Sequence, residues 1–231
     1  MSNLEQLNVK GCRSLDNVDS SVGFLKKLTL LNLRGCQKIR SLPSEIQHLV
    51  SLKSLYIDGT AIEELPSSIC HLTSLQLLSI RECKNLKSLR AAFTFPEIME
   101  VMECLKSLHL SGTCIKELPS SIEFIKHLVD LHLVMCENLR SLPSSIYFSE
   151  IMEVMECLKL LQLSGTCIKE LPSSIEFLKR LACLGLEKCE NLRSLPSSIC
   201  RLKYLEVLDL SIVQTLRLFR NHGGYGMLRG T

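Results

Sequence analysis

The chain has 231 residues, 46% of them hydrophobic, which is enough for a folded core and excludes a largely disordered protein. Its net charge of +3 comes from interspersed basic and acidic residues, so we expect no nucleic-acid partner. No apolar run reaches the length of a membrane span and the N-terminus has no apolar signal segment, so we expect a cytoplasmic or nuclear protein without a membrane partner.

An LxxLxL frame recurs along the chain, with Ile or Val sometimes at its third apolar position. The intervals between successive frames are 24, 24, 23, 30, 23, 30, 23 and 24 residues, and this period is typical of leucine-rich repeats. Each frame is predicted to form a short parallel strand whose side chains alternate between two faces. The frames begin at Leu4, Leu28, Leu52, Leu75, Leu105, Leu128, Leu158, Leu181 and Leu205.

The frames predict an α/β leucine-rich-repeat solenoid over residues 1–210. In this fold class a curved horseshoe of about nine repeats has a parallel sheet on its concave side and short helical or 3-10 segments on its convex side. One unit alone buries too little apolar surface to offset the entropy of its ordered backbone, so we expect the units to fold as one array. Residues 211–231 lack the repeat, are basic and contain glycine, and are expected to form a disordered tail.

Part of the array is duplicated. The segment SGTCIKELPSSIEF occurs at 111–124 and again at 164–177, which favours a modular array over an enzyme with one active site. The two 30-residue units contain FPEIMEVMECL and its near copy FSEIMEVMECL, each similar to the end of a repeat that has lost its strand. We therefore predict a longer convex excursion after Leu89 and after Leu142, with an extra helical turn, and an uninterrupted concave sheet.

A proline recurs in most units, usually within LPSSI. Proline has no N–H and a fixed φ, so we predict that this position lies where the chain leaves the sheet. The two serines that follow are expected to cap a short helical or 3-10 turn.

The twelve cysteines are predicted to be structural thiols, most of them in the core, in a reducing compartment. Their spacing fits no zinc motif. In eight of the nine units a position eight residues after the frame start holds Cys or Thr, whose S–H or O–H is expected to bond turn carbonyls of the adjacent coil; Val213 occupies it in the ninth. The residues at this ladder position are Cys12, Cys36, Thr60, Cys83, Thr113, Cys136, Thr166 and Cys189.

No catalytic or nucleotide-binding motif is present in the sequence, so we expect neither an enzyme nor a cofactor. His109 and His132 occupy the same position in adjacent repeats, with Asp130 on the same face. A metal or pH-sensitive site is one interpretation of this pair. The favoured interpretation is two solvated histidines on a binding surface, without a metal.

Alternation of LxxLxLxxCxxLxSLPSSIxxL with LxxLxLSGTxIxELPSSIExL, together with FPEIMEVMECLK, resembles the leucine-rich-repeat region of plant TIR-type nucleotide-binding disease resistance proteins. This is the family of the tobacco mosaic virus resistance protein, and the resemblance runs from Leu4 to about residue 210. It implies sensing of a pathogen effector or a guarded host protein, and autoinhibition of the nucleotide-binding switch. We expect the chain to be a fragment without the TIR and nucleotide-binding domains.

The resemblance implies two partners: a protein ligand and, in a full-length receptor, the receptor's own nucleotide-binding domain. An alternative is a free-standing intracellular leucine-rich-repeat scaffold that regulates small GTPases or phosphatases. A weaker rival is a bacterial leucine-rich-repeat ubiquitin ligase, which has shorter repeats and a catalytic domain for which this chain has no room.

Residues at even offsets within each frame are predicted to share the concave face, and they vary while the core letters do not. A surface that mixes charge, a tyrosine and two histidines suits protein recognition, with a patch centred on Tyr56, Arg81, His109, Asp130 and His132. The candidate protein-binding residues are Lys10, Arg34, Tyr56, Asp58, Arg81, His109, Asp130, His132, Gln162, Glu187 and Asp209.

Overall fold

The computed structural model describes residues 3–93, 102–143 and 155–216. These residues contain nine three-residue strands that form one parallel sheet in chain order. Parallel pairing of consecutive strands with one crossover direction is the architecture of a solenoid. The strands are β1 (Gln6–Asn8), β2 (Leu30–Asn32), β3 (Ser54–Tyr56), β4 (Leu77–Ser79), β5 (Ser107–His109), β6 (Asp130–His132), β7 (Leu160–Gln162), β8 (Cys183–Gly185) and β9 (Val207–Asp209).

The central residue of every strand is a leucine, and these leucines pair with one another along the sheet. They point into the core, where Leu131 of β6 is 1% exposed. The two flanking residues of each strand point to the opposite face because side chains alternate along a strand. The predicted leucine-rich-repeat solenoid is confirmed.

The sheet continues across both long intervals. Leu78 pairs with Leu108 and Leu131 pairs with Leu161, so the prediction of an uninterrupted sheet is confirmed. The convex excursions predicted after Leu89 and Leu142 fall largely on residues 94–101 and 144–154, which lie outside the described residues.

Short 3-10 helices follow the strands on the other side of the core. Proline is the N-cap of five of those described, with φ between −64° and −69° and an extended ψ, so it does lie at the start of the return segment. The helices are η1 (Ser20–Phe24), η2 (Ser44–His48), η3 (Ser67–His71), η4 (Ala91–Phe93), η5 (Ser120–Phe124), η6 (Ser173–Phe177) and η7 (Ser197–Arg201).

The expectation that the serine pair caps these helices is wrong. The proline occupies the N-cap position and no side chain caps there, since the serines already form the first helical turn. Ser68 and Ser174 are buried instead. Asp19 supplies a side-chain cap for η1, where its Oδ1 accepts a hydrogen bond from Ser21 N at 2.8 Å.

The ladder position behaves as predicted in the interior repeats. Thr60 Oγ1 and Cys83 Sγ both donate to the carbonyl oxygen of Ile57, at 2.9 and 3.1 Å. Thr113 and Cys136 bond the carbonyl oxygen of Leu110 in the same way, at 2.7 and 3.2 Å. In these two pairs, the Thr unit and the Cys unit after it therefore share one carbonyl.

The cysteines are less buried than expected. All twelve are free thiols, but only Cys36, Cys70, Cys83, Cys136 and Cys189 are buried, so the prediction that most lie in the core is wrong. Cys12 occupies the ladder position yet is exposed, because within this chain a repeat packs against it from one side alone. Burial raises the pKa of the buried thiols, Cys83 and Cys136 among them, which keeps them protonated at neutral pH.

A left-handed residue precedes the ladder position in every described repeat. It is glycine in five repeats, at φ between 64° and 77°, and a larger residue in the others. A side chain costs about 1–2 kcal/mol in this conformation because Cβ approaches the next carbonyl oxygen. The larger residues at this position are Glu82, Met135, Lys188 and Ile212.

Replacement of Lys188 by glycine is expected to raise the free energy of unfolding by about 1 kcal/mol. Lys188 has φ of 57°, and the side chain that would be lost makes only an exposed ion pair with Glu187, which contributes little. Chemical denaturation of the variant measures the gain. Glu187→Gly is the matched control and should destabilise the protein, since Glu187 is not among the residues with positive φ. A loss of stability in Lys188→Gly would contradict the prediction.

The ninth unit continues beyond residue 210, where the non-repeat tail was predicted to begin. Val213 N donates to the carbonyl oxygen of Leu210, and Thr215 Oγ1 donates to the carbonyl oxygens of Glu190 and Leu192. Residues 217–231 lie outside the described residues.

Within the described ranges, no helix has the length and apolar character needed to cross a membrane.

Candidate protein-binding face

The eleven candidate residues lie on or directly after the nine strands, on the face opposite the core leucines. All of them are exposed or half-buried, as a binding surface requires. Asn32 and Ser79 lie four residues after a frame start, an even offset that predicts the same surface, but they are only 8% and 0% exposed. Their small side chains bond neighbours instead: Asn32 Oδ1 accepts from Arg34 N, and Ser79 Oγ donates to Asp58.

Arg34, Tyr56 and Asp58 form the first part of a polar network. The Arg34 guanidinium lies over the Tyr56 ring, 3.9 Å from its centroid, and Arg34 Nε donates to Asp58 Oδ2 at 2.6 Å. Stacking and ion pairing together hold the long arginine side chain in one conformation, which lowers the entropy cost of binding through it.

Asp58 joins this group to the next repeat. Its Oδ1 accepts hydrogen bonds from Ser79 Oγ at 2.5 Å and from Arg81 N at 2.8 Å, while Oδ2 accepts from Arg34. Both oxygens of the carboxylate therefore accept hydrogen bonds, from the turn after β2, from β4 and from the turn after β4. The sequence pattern predicted that Ser79 lies on the surface and did not predict that it donates to Asp58. The signal that could have indicated this bond is a small hydroxyl residue on a strand beside a repeat that carries an aspartate.

Arg81 and the two histidines continue the network. An Arg81 guanidinium nitrogen lies 2.9 Å from His109 Nδ1. Because a guanidinium has no acceptor, Nδ1 must accept, so the ring of His109 is neutral with its proton on Nε2. The His109 and His132 rings meet edge to face, with centroids 4.5 Å apart and an interplanar angle of 79°.

The surroundings keep both histidines neutral. Burial lowers the pKa of His109 to about 4, and the charges of Arg81 and His132 act in the same direction. Burial and then Arg81 also lower the pKa of His132. Asp130 opposes both shifts, and Asp58 also opposes that of His109, but burial outweighs them. Asp130 Oδ2 accepts a hydrogen bond from Ser107 Oγ at 2.9 Å.

The structure thus brings Arg34, Tyr56, Asp58, Arg81, His109 and His132 into one connected network across β2–β6, with Asp130 beside it. The other four candidates lie outside it. Gln162 lies over Gly185 and contacts Cys183, and Asp209 accepts hydrogen bonds from Ser211. Lys10 and Glu187 lie on turns nearer the two ends of the sheet.

No group of three or more His, Cys, Asp or Glu side chains among the described residues has the geometry to hold a metal ion. The metal interpretation of the histidine pair therefore finds no further ligand in this part of the chain. What the geometry provides is a face of fixed, partly exposed charged and aromatic groups.

The architecture has a counterpart among known families. Residues 2–107 match a family model described as a leucine-rich repeat region. With nine parallel strands stacked in chain order, the described residues have the leucine-rich-repeat fold.

Its relatives are plant disease resistance proteins of Arabidopsis thaliana. The chain is 32% identical to disease resistance-like protein DSC1, over 93% of this chain and 22% of that protein. It is 34% identical to disease resistance protein RPS6, over 91% of this chain and 21% of that protein. The chain thus spans about a fifth of the length of these relatives. The resemblance predicted from the sequence is confirmed.

Solved structures match the fold. A leucine-rich-repeat protein of Leptospira interrogans, LIC12759, has a TM-score of 0.74 at 26% identity and is matched over 94% of this chain and 56% of that one. The leucine-rich repeat domain of the type III effector XopL has a TM-score of 0.54 at 24% identity, over 88% of this chain and 75% of that one, and shows the fold alone.

Proposed function

We propose that the chain is the protein-recognition region of a plant intracellular immune receptor, and that its concave face binds a pathogen effector or a host protein. The observation that carries the proposal is the connected network of Arg34, Tyr56, Asp58, Arg81, His109 and His132 on one open face. The names of the relatives, disease resistance proteins, support the immune context.

The network has the properties of a protein-binding centre. Arginine and tyrosine are the residue types that most often dominate interface affinity. Here each is fixed by a neighbour before any ligand arrives, Arg34 by Tyr56 and Asp58, and Arg81 by His109. Such preorganisation strengthens binding, because little side-chain entropy is lost on association.

In a full-length receptor, we propose that this region also holds the nucleotide-binding domain inactive until the ligand binds. The support is the chain's match to a short part of much longer disease resistance proteins. The alternative, a free-standing scaffold that regulates GTPases or phosphatases, shares the fold, but the relatives favour the immune receptor.

The test replaces the five central residues together, as Tyr56→Ala, Arg81→Ala, His109→Ser, Asp130→Ala and His132→Ser. We expect this concave variant to keep its circular dichroism spectrum, because none of the five side chains is part of the buried core. Pull-downs with candidate effectors and with leaf extract should show at least about tenfold weaker capture than the unaltered chain, since hot-spot losses each exceed about 1 kcal/mol.

The matched control replaces five exposed charged residues that lie outside the sheet: Lys38, Arg40, Glu63, Lys84 and Arg140, all to Ala. This control variant should capture the same proteins as the unaltered chain. Unchanged capture by the folded concave variant, with loss in the control variant, would show that the ligand binds elsewhere.

A further inference from the structure

Among the residues that the structure describes, Arg81 is the cation of the network that forms no ion pair. Its guanidinium bonds an imidazole, and the neighbouring carboxylate of Asp58 accepts from Arg34 Nε, from Ser79 Oγ and from the backbone amide of Arg81. The contrast is with Arg34, which has an ion pair and lies over an aromatic ring. A guanidinium has five N–H donors, so Arg81 retains donors that neutral His109 cannot satisfy.

The groups around Arg81 leave a local excess of positive charge. His109 faces Arg81, His132, Asp58 and Asp130, and His132 faces Arg81 and Asp130. Asp58 is neutralised by Arg34, and Asp130 accepts from Ser107 at the opposite end of β5 and β6 from Arg81. Burial is the main cause of the lowered pKa of both histidines, and the positive charge of Arg81 acts in the same direction.

We propose that the cluster of Arg81, His109 and His132 binds an aspartate or glutamate side chain of an acidic segment on the protein ligand. The proposal rests on the proposed function, since it names the chemistry of the ligand at the same face. A carboxylate would take the free N–H groups of Arg81 in the bidentate geometry that guanidinium favours. The Nε2–H of neutral His109 provides a further donor.

The histidines make this recognition pH-dependent. A bound carboxylate adds negative charge beside two imidazoles and so raises their pKa. Binding takes up protons only where the pH approaches the lowered pKa of the histidines, about 4 for His109, so affinity changes little near pH 7 and rises as the pH falls to about 5 and below. The rise is small, because the ligand carboxylate itself becomes protonated near pH 4.

The experiment uses the full chain with isotope-labelled histidine and hexaglutamate as the probe. NMR titration follows the ring protons of His109 and His132 against pH, with and without the peptide. We expect hexaglutamate to raise the pKa of at least one of the two histidines by about 0.5 or more. Hexaglutamine should cause no shift.

Three variants isolate the role of Arg81. Arg81→Gln should weaken hexaglutamate binding by about tenfold or more, and Arg81→Lys should retain part of the affinity because it keeps the charge. Arg140→Gln, at an exposed arginine outside the sheet, should bind as the unaltered chain does. Because Arg81→Gln by itself changes the field at His109, the quantity compared is the pKa difference made by the peptide.

The proposal is overturned if hexaglutamate up to about 10 mM, a level that detects even weak contacts, shifts neither histidine. It is also overturned if Arg81→Gln and Arg140→Gln bind equally, or if inorganic phosphate binds and hexaglutamate does not. None of these results would contradict the proposed function, which the concave variant tests separately. If the concave variant loses its protein ligand while Arg81→Gln retains it, the face is the binding site and the acidic chemistry is wrong.

Discussion

Replacement of Leu131 by alanine is expected to lower the free energy of unfolding by about 2–5 kcal/mol. Leu131 is 1% exposed at the centre of β6 and pairs with leucines of both neighbouring strands. The truncation removes buried methyl groups and leaves a cavity that stacked repeats on both sides prevent from closing. Because folded domains have net stabilities of about 5–15 kcal/mol, this one change can halve the stability of the array.

The chain provides a matched control for this change. Leu208 holds the same register position in β9 but is 37% exposed, so Leu208→Ala should cost about 1 kcal/mol or less. Urea denaturation followed by circular dichroism compares the two variants. Equal losses would mean that burial does not set the contribution of the central leucines.

Acidification from pH 7 to about pH 4.5 is expected to weaken the fold through His109. The pKa of this histidine is about 4 in the folded protein and near the ordinary 6.5 when unfolded. Between these values the unfolded chain binds more protons, so stability is fully present above pH 6.5 and is lost as the pH falls towards 4. Since the ring is half exposed, solvent screening limits the contribution to about 1–2 kcal/mol.

His109→Gln isolates this contribution, because an amide oxygen can still accept the hydrogen bond from Arg81 while the group no longer titrates. The variant should lose less stability between pH 7 and pH 4.5 than the unaltered chain, as measured by urea midpoints at each pH. His127→Gln, at an exposed histidine outside the sheet, should behave like the unaltered chain. The same pH dependence in all three proteins would contradict the assignment to His109.

The sequence predicted the fold because leucine spacing carries most of the information. Each frame fixes a strand and an inward leucine, and the ladder position fixes the turn that follows. Features that depend on a neighbour were missed. The left-handed conformation of Glu82 and Lys188 is imposed by the stacked turns, since neither residue prefers it. The N-cap of the 3-10 helices was predicted to be serine and is proline, because the extended ψ of the proline makes it the last residue before the helical turn.

The candidate face was predicted in outline, because alternation along a strand decides which residues point outward. The pairings within it were not. Arg34 pairs with Asp58, whereas Arg81 bonds His109. Each choice depends on the conformations of side chains in two different repeats, which the sequence pattern of one repeat does not determine. Ser79 likewise donates to Asp58 of the preceding repeat, a contact that the apolar–polar pattern of its own strand does not predict.

The carbonyl shared by a Thr unit and the following Cys unit, seen for Thr60 with Cys83 and for Thr113 with Cys136, joins the repeats in pairs. Within the described residues, the Thr hydroxyl and the Cys thiol at the ladder positions of neighbouring repeats contact each other in three pairs: Thr60 with Cys83, Thr113 with Cys136, and Thr166 with Cys189. Each 30-residue unit is the second member of such a pair, so its extra residues lie between one pair and the next and interrupt no contact within a pair. The duplicated segment begins at the same point of a pair in both copies, with Thr113 and Thr166 at equivalent positions. The first two units are both Cys units, and there the carbonyl oxygen of Val9 accepts from Cys36 Sγ of the next repeat. Lengthening by whole Thr–Cys pairs preserves the shared carbonyl, whereas a Thr unit that is not followed by a Cys unit would leave its carbonyl with one side-chain donor in place of two.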